Sequence, residues 1–465
     1  HHTMTLLQKL QSLNPETIAE NSTVTDFMLD YCIKNEQDAM AIVNVSVLKR
    51  QMDLWRATMP SVEPHYAIKC NPHPVIVKTL FELGAGFDAA SPAEVQKAMQ
   101  AGATKDQIIY ANPQKQAANI KKVYELGVST FTFDSEMELL KMIENTPVGT
   151  VGRFVLRILP PVDTHSHQNF GSKFGASKQE SERLIKFAAK LYKQKPNFEL
   201  VGFSFHVGTG CTSAEAYQKC IEECCRLAQL AQSVGFAPKI VDIGGGFITE
   251  KALMHLKGHE EMEQVKFQEI GASVEKAIQA AAAVFGEGFK AISEPGRFFA
   301  SDCVQLVTRV YGRRIMFDNE GSDENFETDV EEEQEVEKKK ESSEESLTES
   351  DLMSHNKTIQ QVKYYVGEGM YGYFNNIMFD HVLPNMKFYH NKENIFPTIT
   401  YKSIIFGPTC DSMDCILENK YIPLLEIGDF IVVDGFGAYT WAGATEFNGI
   451  AITEMVVVIE EKDAQ

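Results

Sequence analysis

Ile240-Val241-Asp242-Ile243-Gly244-Gly245-Gly246 is a short β-branched run that ends in three glycines. Such a run reads as a buried strand opening into a loop of bare backbone. A long amphipathic stretch precedes it, Ala214–Val234. Another follows, Phe267–Phe285, and then a second strand-like run, Ala291–Glu294. Strand, helix, strand is the βαβ unit of parallel sheets. Toward the N-terminus the same alternation gives His65–Lys69, Gly86–Ala90, Ile108–Ala111, Thr130–Asp134, Phe154–Ile158 and Val201–Val207. Eight sequential βα units predict an α/β chain built on a (β/α)8 TIM-like barrel. They favour closure over a doubly wound open sheet.

After Arg297 the texture changes. Lys363–Val366, Ser403–Phe406, Phe430–Val433 and Ala451–Ile459 are rich in Val, Ile, Tyr and Phe, with Gly, Pro and Asn between them. They predict a second, mostly antiparallel β-sheet or β-barrel domain. The early run Ala41–Val47 is expected to join it. The division is then 1–48 for the entering segment, 49–297 for the barrel and 298–465 for the β domain. The segment 318–355 interrupts that domain. Between Asp318 and Asp351, 16 Asp and Glu stand against 3 Lys, a balance of −13. With few large apolar residues it reads as a disordered, solvated insertion.

The formal net charge is −20. So acidic a balance argues against a nucleic-acid partner. No run of 18 apolar residues suggests a membrane span, and no secretory signal is visible. The opening His1-His2 is excluded from fold reasoning as a tag remnant. Nine scattered cysteines are expected as reduced thiols in a cytoplasmic protein. Cys220, Cys224 and Cys225 share one helical stretch. They are expected as structural thiols, since no further soft ligands for a metal lie nearby.

Catalytic groups of such barrels sit at the C-terminal ends of the strands. Those ends carry Lys69, Asp88, Asp134, Arg157, His206, Gly244–Gly246 and Glu294. A lysine partly buried at the mouth loses charge and becomes a nucleophile for an aldehyde. The glycine loop and Arg297 suit a phosphate. Glu294 suits a protonated pyridine nitrogen, and His206 a flat ring. Taken singly, each has a plainer reading: a surface lysine, a turn, a core histidine. Taken together they point to pyridoxal 5'-phosphate.

At this point the chain resembles the group IV pyridoxal-phosphate decarboxylases of alanine-racemase-like fold, the family of the eukaryotic ornithine decarboxylases. The stretches that carry the resemblance are Tyr66–Asn71, Gly86–Asp88, Ser204–Gly208, Asp242–Phe247, Glu294–Arg297, Gly407–Asp411 and Gly437–Thr440. They span most of the chain outside the termini and the acidic insertion. The resemblance implies the cofactor on Lys69, with ring contacts from His206 and Glu294. It implies phosphate contacts from Thr209, Gly244, Gly245, Gly246, Gly296, Arg297 and Tyr439, and places Asp88, Glu94 and Arg157 nearby. It further implies a homodimer with sites shared across the interface, where Cys410 and Asp411 serve the partner's site. Cys410 would supply a proton, and Asp411 and Asp380 would bind the distal amine. Tyr371 and Phe447 would line the substrate pocket, and Lys173 and Asp414 would pair across the interface. Phe379 departs from the family's usual tyrosine beside Asp380, and Thr209 from its usual serine. The implied reaction converts L-ornithine to putrescine and carbon dioxide, with lysine or arginine as rival substrates. A catalytically inactive regulator resembling antizyme inhibitor is the rival of another class, disfavoured because Lys69, Asp88, Arg157 and Cys410 are all present. Antizyme is a further implied partner. The chain stops soon after Ile459, short of the long tail of rapidly degraded animal members.

Overall fold

The computed structural model describes residues 3–166, 171, 173–256, 267–318, 348, 350, 353 and 358–465. The expected insertion at 318–355 lies almost wholly outside the described residues. The barrel strands are Val62–Ala67, Gly86–Ala89, Ile108–Tyr110, Thr130–Phe133, Gly152–Ile158, Phe198–Phe205, Ile240–Asp242 and Lys290–Ser293. They pair in that order, all parallel, and the ring closes where Ala291 meets Val62. All eight expected strands are present. Four starts are as expected and four lie earlier, at Val62, Gly152, Phe198 and Lys290; polar residues such as Glu63 and Glu199 read as loop, yet the parallel register carries pairing through them. All but the strand ending at Ile158 stop earlier than expected. Lys69, Asp134, His206 and Glu294 all follow the last paired residue, in the loops that leave the barrel.

Inside the ring Ile109, Val155, Val201, Ile240 and Ile292 form one buried cluster. This β-branched plug is the floor beneath the barrel mouth. The helices start on serine N-caps: Ser91, Ser135, Ser177 and Ser213 each accept a backbone N–H of the first turn. An N-cap serine satisfies a donor that would otherwise be orphaned, and it fixes where each loop must turn back.

The second domain is a nine-stranded sheet rather than a closed β-barrel. Ala39–Asn44 runs antiparallel to Val304–Phe317, and Asn44 N–H donates to the Cys303 carbonyl at 2.8 Å. The whole barrel is therefore inserted between two neighbouring strands, as the early β run anticipated. That strand stops at Asn44 rather than Val47 because Asn44 Oδ1 caps the helix Val45–Thr58. The sheet is more mixed than expected. Met455–Glu460 lies parallel to both Glu16–Ile18 and Ala39–Asn44, and Ile359–Val366 lies parallel to Thr400–Phe406. No helix among the described residues is long and apolar enough to cross a membrane.

Trp55 joins the inserted barrel to its flanks. Its Nε1 donates to the Val62 carbonyl at 2.9 Å, and its ring packs on Phe247, Phe267, Phe298 and Phe299. These contacts tie the helix before the first strand to segments that follow the seventh and eighth. Trp55→Ala is expected to cost about 3–5 kcal/mol, the usual price of an aromatic cavity in a core. Denaturant unfolding followed by circular dichroism measures it; a loss under about 1 kcal/mol would show that the cluster is not a closure element.

Candidate active site

Lys69 follows the first barrel strand in the short 3-10 turn Ile68–Cys70. Its side chain reaches an open cavity at the barrel mouth. Asp88, His206, Thr209, Gly245, Gly246, Glu294, Gly296, Arg297 and Tyr439 share the lining. The partial burial expected for Lys69 is not observed: its side chain is exposed toward the open mouth.

The far wall is backbone. Gly244 has φ +66°, and a Cβ there would stand 2.2 Å from the Phe205 carbonyl oxygen. A Cβ at Gly245 would meet the Glu294 carbonyl oxygen at 2.8 Å and His206 Nε2 at 3.1 Å. Gly296 lies equally close to Cys70. His206 Nδ1 accepts the Gly208 N–H at 2.9 Å, which fixes the ring plane. Burial, then the charges of Arg157 and Lys69, hold His206 well below its usual pKa, so the imidazole is neutral.

The floor of the cavity is a knot of carboxyls. Glu294 is hydrogen-bonded to Asp88 on one side and Asp242 on the other. Burial raises Asp88 and Glu294 well above the carboxylate range and brings Asp242 to about 6. Half-buried Arg157 supplies the opposing charge, and desolvation lowers its own pKa. Asp242 had no expected role. Its signal was its place, a carboxylate ending a strand just before the glycine triplet.

Arg297 and Asp380 were expected to hold different ligands. In the structure they hold each other: Arg297 Nη1 and Nη2 donate to Asp380 Oδ2 and Oδ1 at 2.6 and 2.5 Å. The guanidinium also lies 4.5 Å from the Tyr439 ring. Arg297 Nε is buried with no partner among the described residues. Tyr439 sits at φ +53°, a costly angle for tyrosine, and its N–H donates to the Cys70 carbonyl at 2.9 Å. Glu94 serves its own helix start, accepting the Ala90 N–H at 2.7 Å.

The remaining expected residues form a separate group. Cys410 is exposed, and its N–H donates to Asn448 Oδ1 at 2.8 Å. Asp411 accepts the Tyr371 hydroxyl, which holds its carboxyl below the usual range. Tyr371 stacks on Phe447 with centroids 4.3 Å apart. None of these four lines the cavity at Lys69. The expected pairing of Lys173 with Asp414 lies between two chains, so a single chain does not bear on it. Asp414 is fully buried, and within its own chain it accepts the N–H groups of Met370 and Thr409 and the Thr409 hydroxyl, at 2.7–3.0 Å. Cys220 and Cys224 are fully buried in the helix Ala214–Ser233, as structural thiols should be.

A family model for the pyridoxal-binding domain of pyridoxal-dependent decarboxylases matches residues 45–301. The chain belongs to this decarboxylase family. It is 32% identical to ornithine decarboxylase of Mus musculus and 33% identical to antizyme inhibitor 2 of Xenopus laevis. Each match runs over 416 residues, 89% of this chain and 79% of the relative. Among solved structures it is similar to arginine decarboxylase of Paramecium bursaria Chlorella virus, with a TM-score of 0.73 and 27% identity, covering 94% of this chain and 100% of that one. It is also similar to lysine/ornithine decarboxylase of Vibrio vulnificus complexed with putrescine, with a TM-score of 0.70 and 25% identity, covering 94% and 99%.

The decarboxylase cavity fits pyridoxal phosphate on its own geometry. A lysine faces bare glycine backbone, a neutral imidazole stands in a fixed plane, and a buried arginine keeps an unused N–H. Lys69 would hold the aldehyde carbon, Glu294 the ring nitrogen, and the glycine loop with Arg297 the phosphate. Borohydride reduction of the loaded decarboxylase followed by peptide mapping is expected to place the pyridoxyl group on Lys69; a label on another lysine would refute the assignment. Gly245→Ala is expected to weaken cofactor binding about tenfold or more in an absorbance titration. Unchanged affinity would mean that the loop does not approach the phosphate.

Proposed function

We propose that the chain decarboxylates L-ornithine to putrescine and carbon dioxide, as a homodimer whose two sites each draw on both chains. The observation that carries this reading is the split between the two groups of expected residues. One chain alone presents a cofactor cavity lined by neither Cys410 nor Asp411. It presents those two on an exposed surface rimmed by apolar side chains. Met413 is 61% exposed and Phe447 43%. Phe379, adjacent to buried Asp380, is 73% exposed. Solvent-facing apolar residues beside both groups suit a self-complementary interface.

Bound pyridoxal phosphate supplies the electron sink for loss of the carboxylate. Glu294 would keep a proton at the ring nitrogen, and neutral His206 would lie against the ring without adding charge. Asp411, held ionised by the Tyr371 hydroxyl and the Met413 N–H, matches a distal ammonium. Cys410 beside it supplies the proton to the carbon that lost its carboxylate. A distal cation is common to ornithine, lysine and arginine, and relatives named for each exist. Ornithine is favoured by the curated relatives, but one methylene changes affinity by only about 1–3 kcal/mol, so lysine is expected as a weaker substrate.

Ornithine, lysine and arginine offered in competition, with the amines quantified, test the reading. Ornithine should show the highest kcat/KM; preference for either rival would overturn it. Glu294→Ala should lower kcat on ornithine by an amount equal to roughly 2.7–4 kcal/mol. An unchanged rate would remove Glu294 from the chemistry.

A further inference from the structure

Asp242 is fully buried at the end of the seventh barrel strand and does not line the cofactor cavity. Its Oδ1 accepts the Gly244 N–H at 2.9 Å. The Gly244 carbonyl in turn accepts the Glu294 N–H at 2.7 Å and the Ser293 hydroxyl at 2.6 Å. One glycine thus pins the backbone of Glu294 and the side chain of Asp242 in a single ring of contacts, at the point where their carboxyls hydrogen-bond. No N–H or hydroxyl donor among the described residues reaches Asp242 Oδ2. We propose that Asp242 is a positioning residue: an anion behind Glu294 that keeps a proton on the pair formed by Glu294 and the cofactor's ring nitrogen.

Two carboxyls in hydrogen-bond contact must share a proton, because two like charges cannot approach so closely in a dry site. Asp242 is the member better suited to stay ionised. It has the Gly244 N–H and faces Arg157, and its pKa reaches only about 6, whereas Glu294 goes well beyond the carboxylate range. The other charged or titratable groups around the pair are Asp88 and Lys69 at the mouth, and Cys224 from the helix behind, a thiol whose own ionisation burial suppresses. With the ring bound, Glu294 Oε would give its proton to the ring nitrogen. Glu294 becomes the carboxylate that receives the N–H, and Asp242 remains anionic behind it. Its negative charge then makes loss of that proton to water unfavourable. This inference needs only the cofactor, not the identity of the amino-acid substrate.

The test uses the full chain loaded with pyridoxal phosphate labelled with 15N at the ring. The parent should show a protonated ring nitrogen at neutral pH. Asp242→Asn replaces the anion by an amide that donates to Glu294. It should shift the resonance toward the unprotonated position, while kcat falls about tenfold or more and KM changes by less than about threefold. Asp242→Glu, which keeps the charge, should restore the protonated signal. A nitrogen that stays protonated in Asp242→Asn would show that Asp242 merely braces the loop. If that variant fails to fold, infrared difference spectra of the parent decide. A carboxylic-acid C=O band should be present before the cofactor is added and lost on its addition. Absence of that change would overturn the proposal.

Discussion

The hydrogen bond from the Ala67 N–H to the Pro295 carbonyl, at 3.1 Å, joins the two ends of the barrel. With the pairing of Ala291 to Val62 it closes the ring, and Lys69 and Glu294 come to face one cavity from opposite ends of the domain sequence. Every other feature of the site depends on that closure. The β-branched plug beneath it keeps the floor dry. A dry floor makes the charges above it strongly interdependent, so Asp88, Glu294 and Asp242 share protons instead of ionising separately, while Arg157 stays half-buried beside them.

The second domain completes the mouth rather than merely flanking it. Asn71 Nδ2 donates to the Gly437 carbonyl at 2.9 Å, and Tyr439 returns a bond to Cys70. The turn carrying Lys69 is thus clamped by the loop carrying Tyr439. Asp380, from the same domain, fixes the fork of Arg297. Breaking a buried pair of this kind usually costs about 3–5 kcal/mol, so Arg297 and Asp380 behave as one unit. A change at either should disturb both the phosphate end and the substrate end of the site.

Much of this was legible in the sequence, for identifiable reasons. Strands buried on both faces leave unbroken apolar runs, and the glycine triplet can only be loop, so the barrel and the tops of its strands could be read directly. Strand starts were misplaced because pairing passes through Glu63 and Glu199, which no local pattern reveals. The parallel pairs of the sheet were missed because register depends on partners beyond any local window, as between Val362 and Ser403 or Val456 and Ile42. Lys69, His206, Glu294 and the glycine loop were found as residues of unusual type at strand ends. Asp242 was overlooked because it does not line the cavity and reaches the site through Gly244 and Glu294, and the union of Arg297 with Asp380 has no signature in either motif.

On the proposed function, Lys69 and Cys410 act together only when two chains meet. Lys69→Ala and Cys410→Ala, each inactive alone, can be mixed and allowed to exchange subunits, with exchange followed separately by mass. In a heterodimer one site then receives an intact lysine and an intact cysteine, and the other receives neither. Random exchange makes about half the dimers mixed, so activity should recover to roughly a quarter of that of the parent. Confirmed exchange with no recovery would contradict the claim and place Cys410 in the cavity of its own chain.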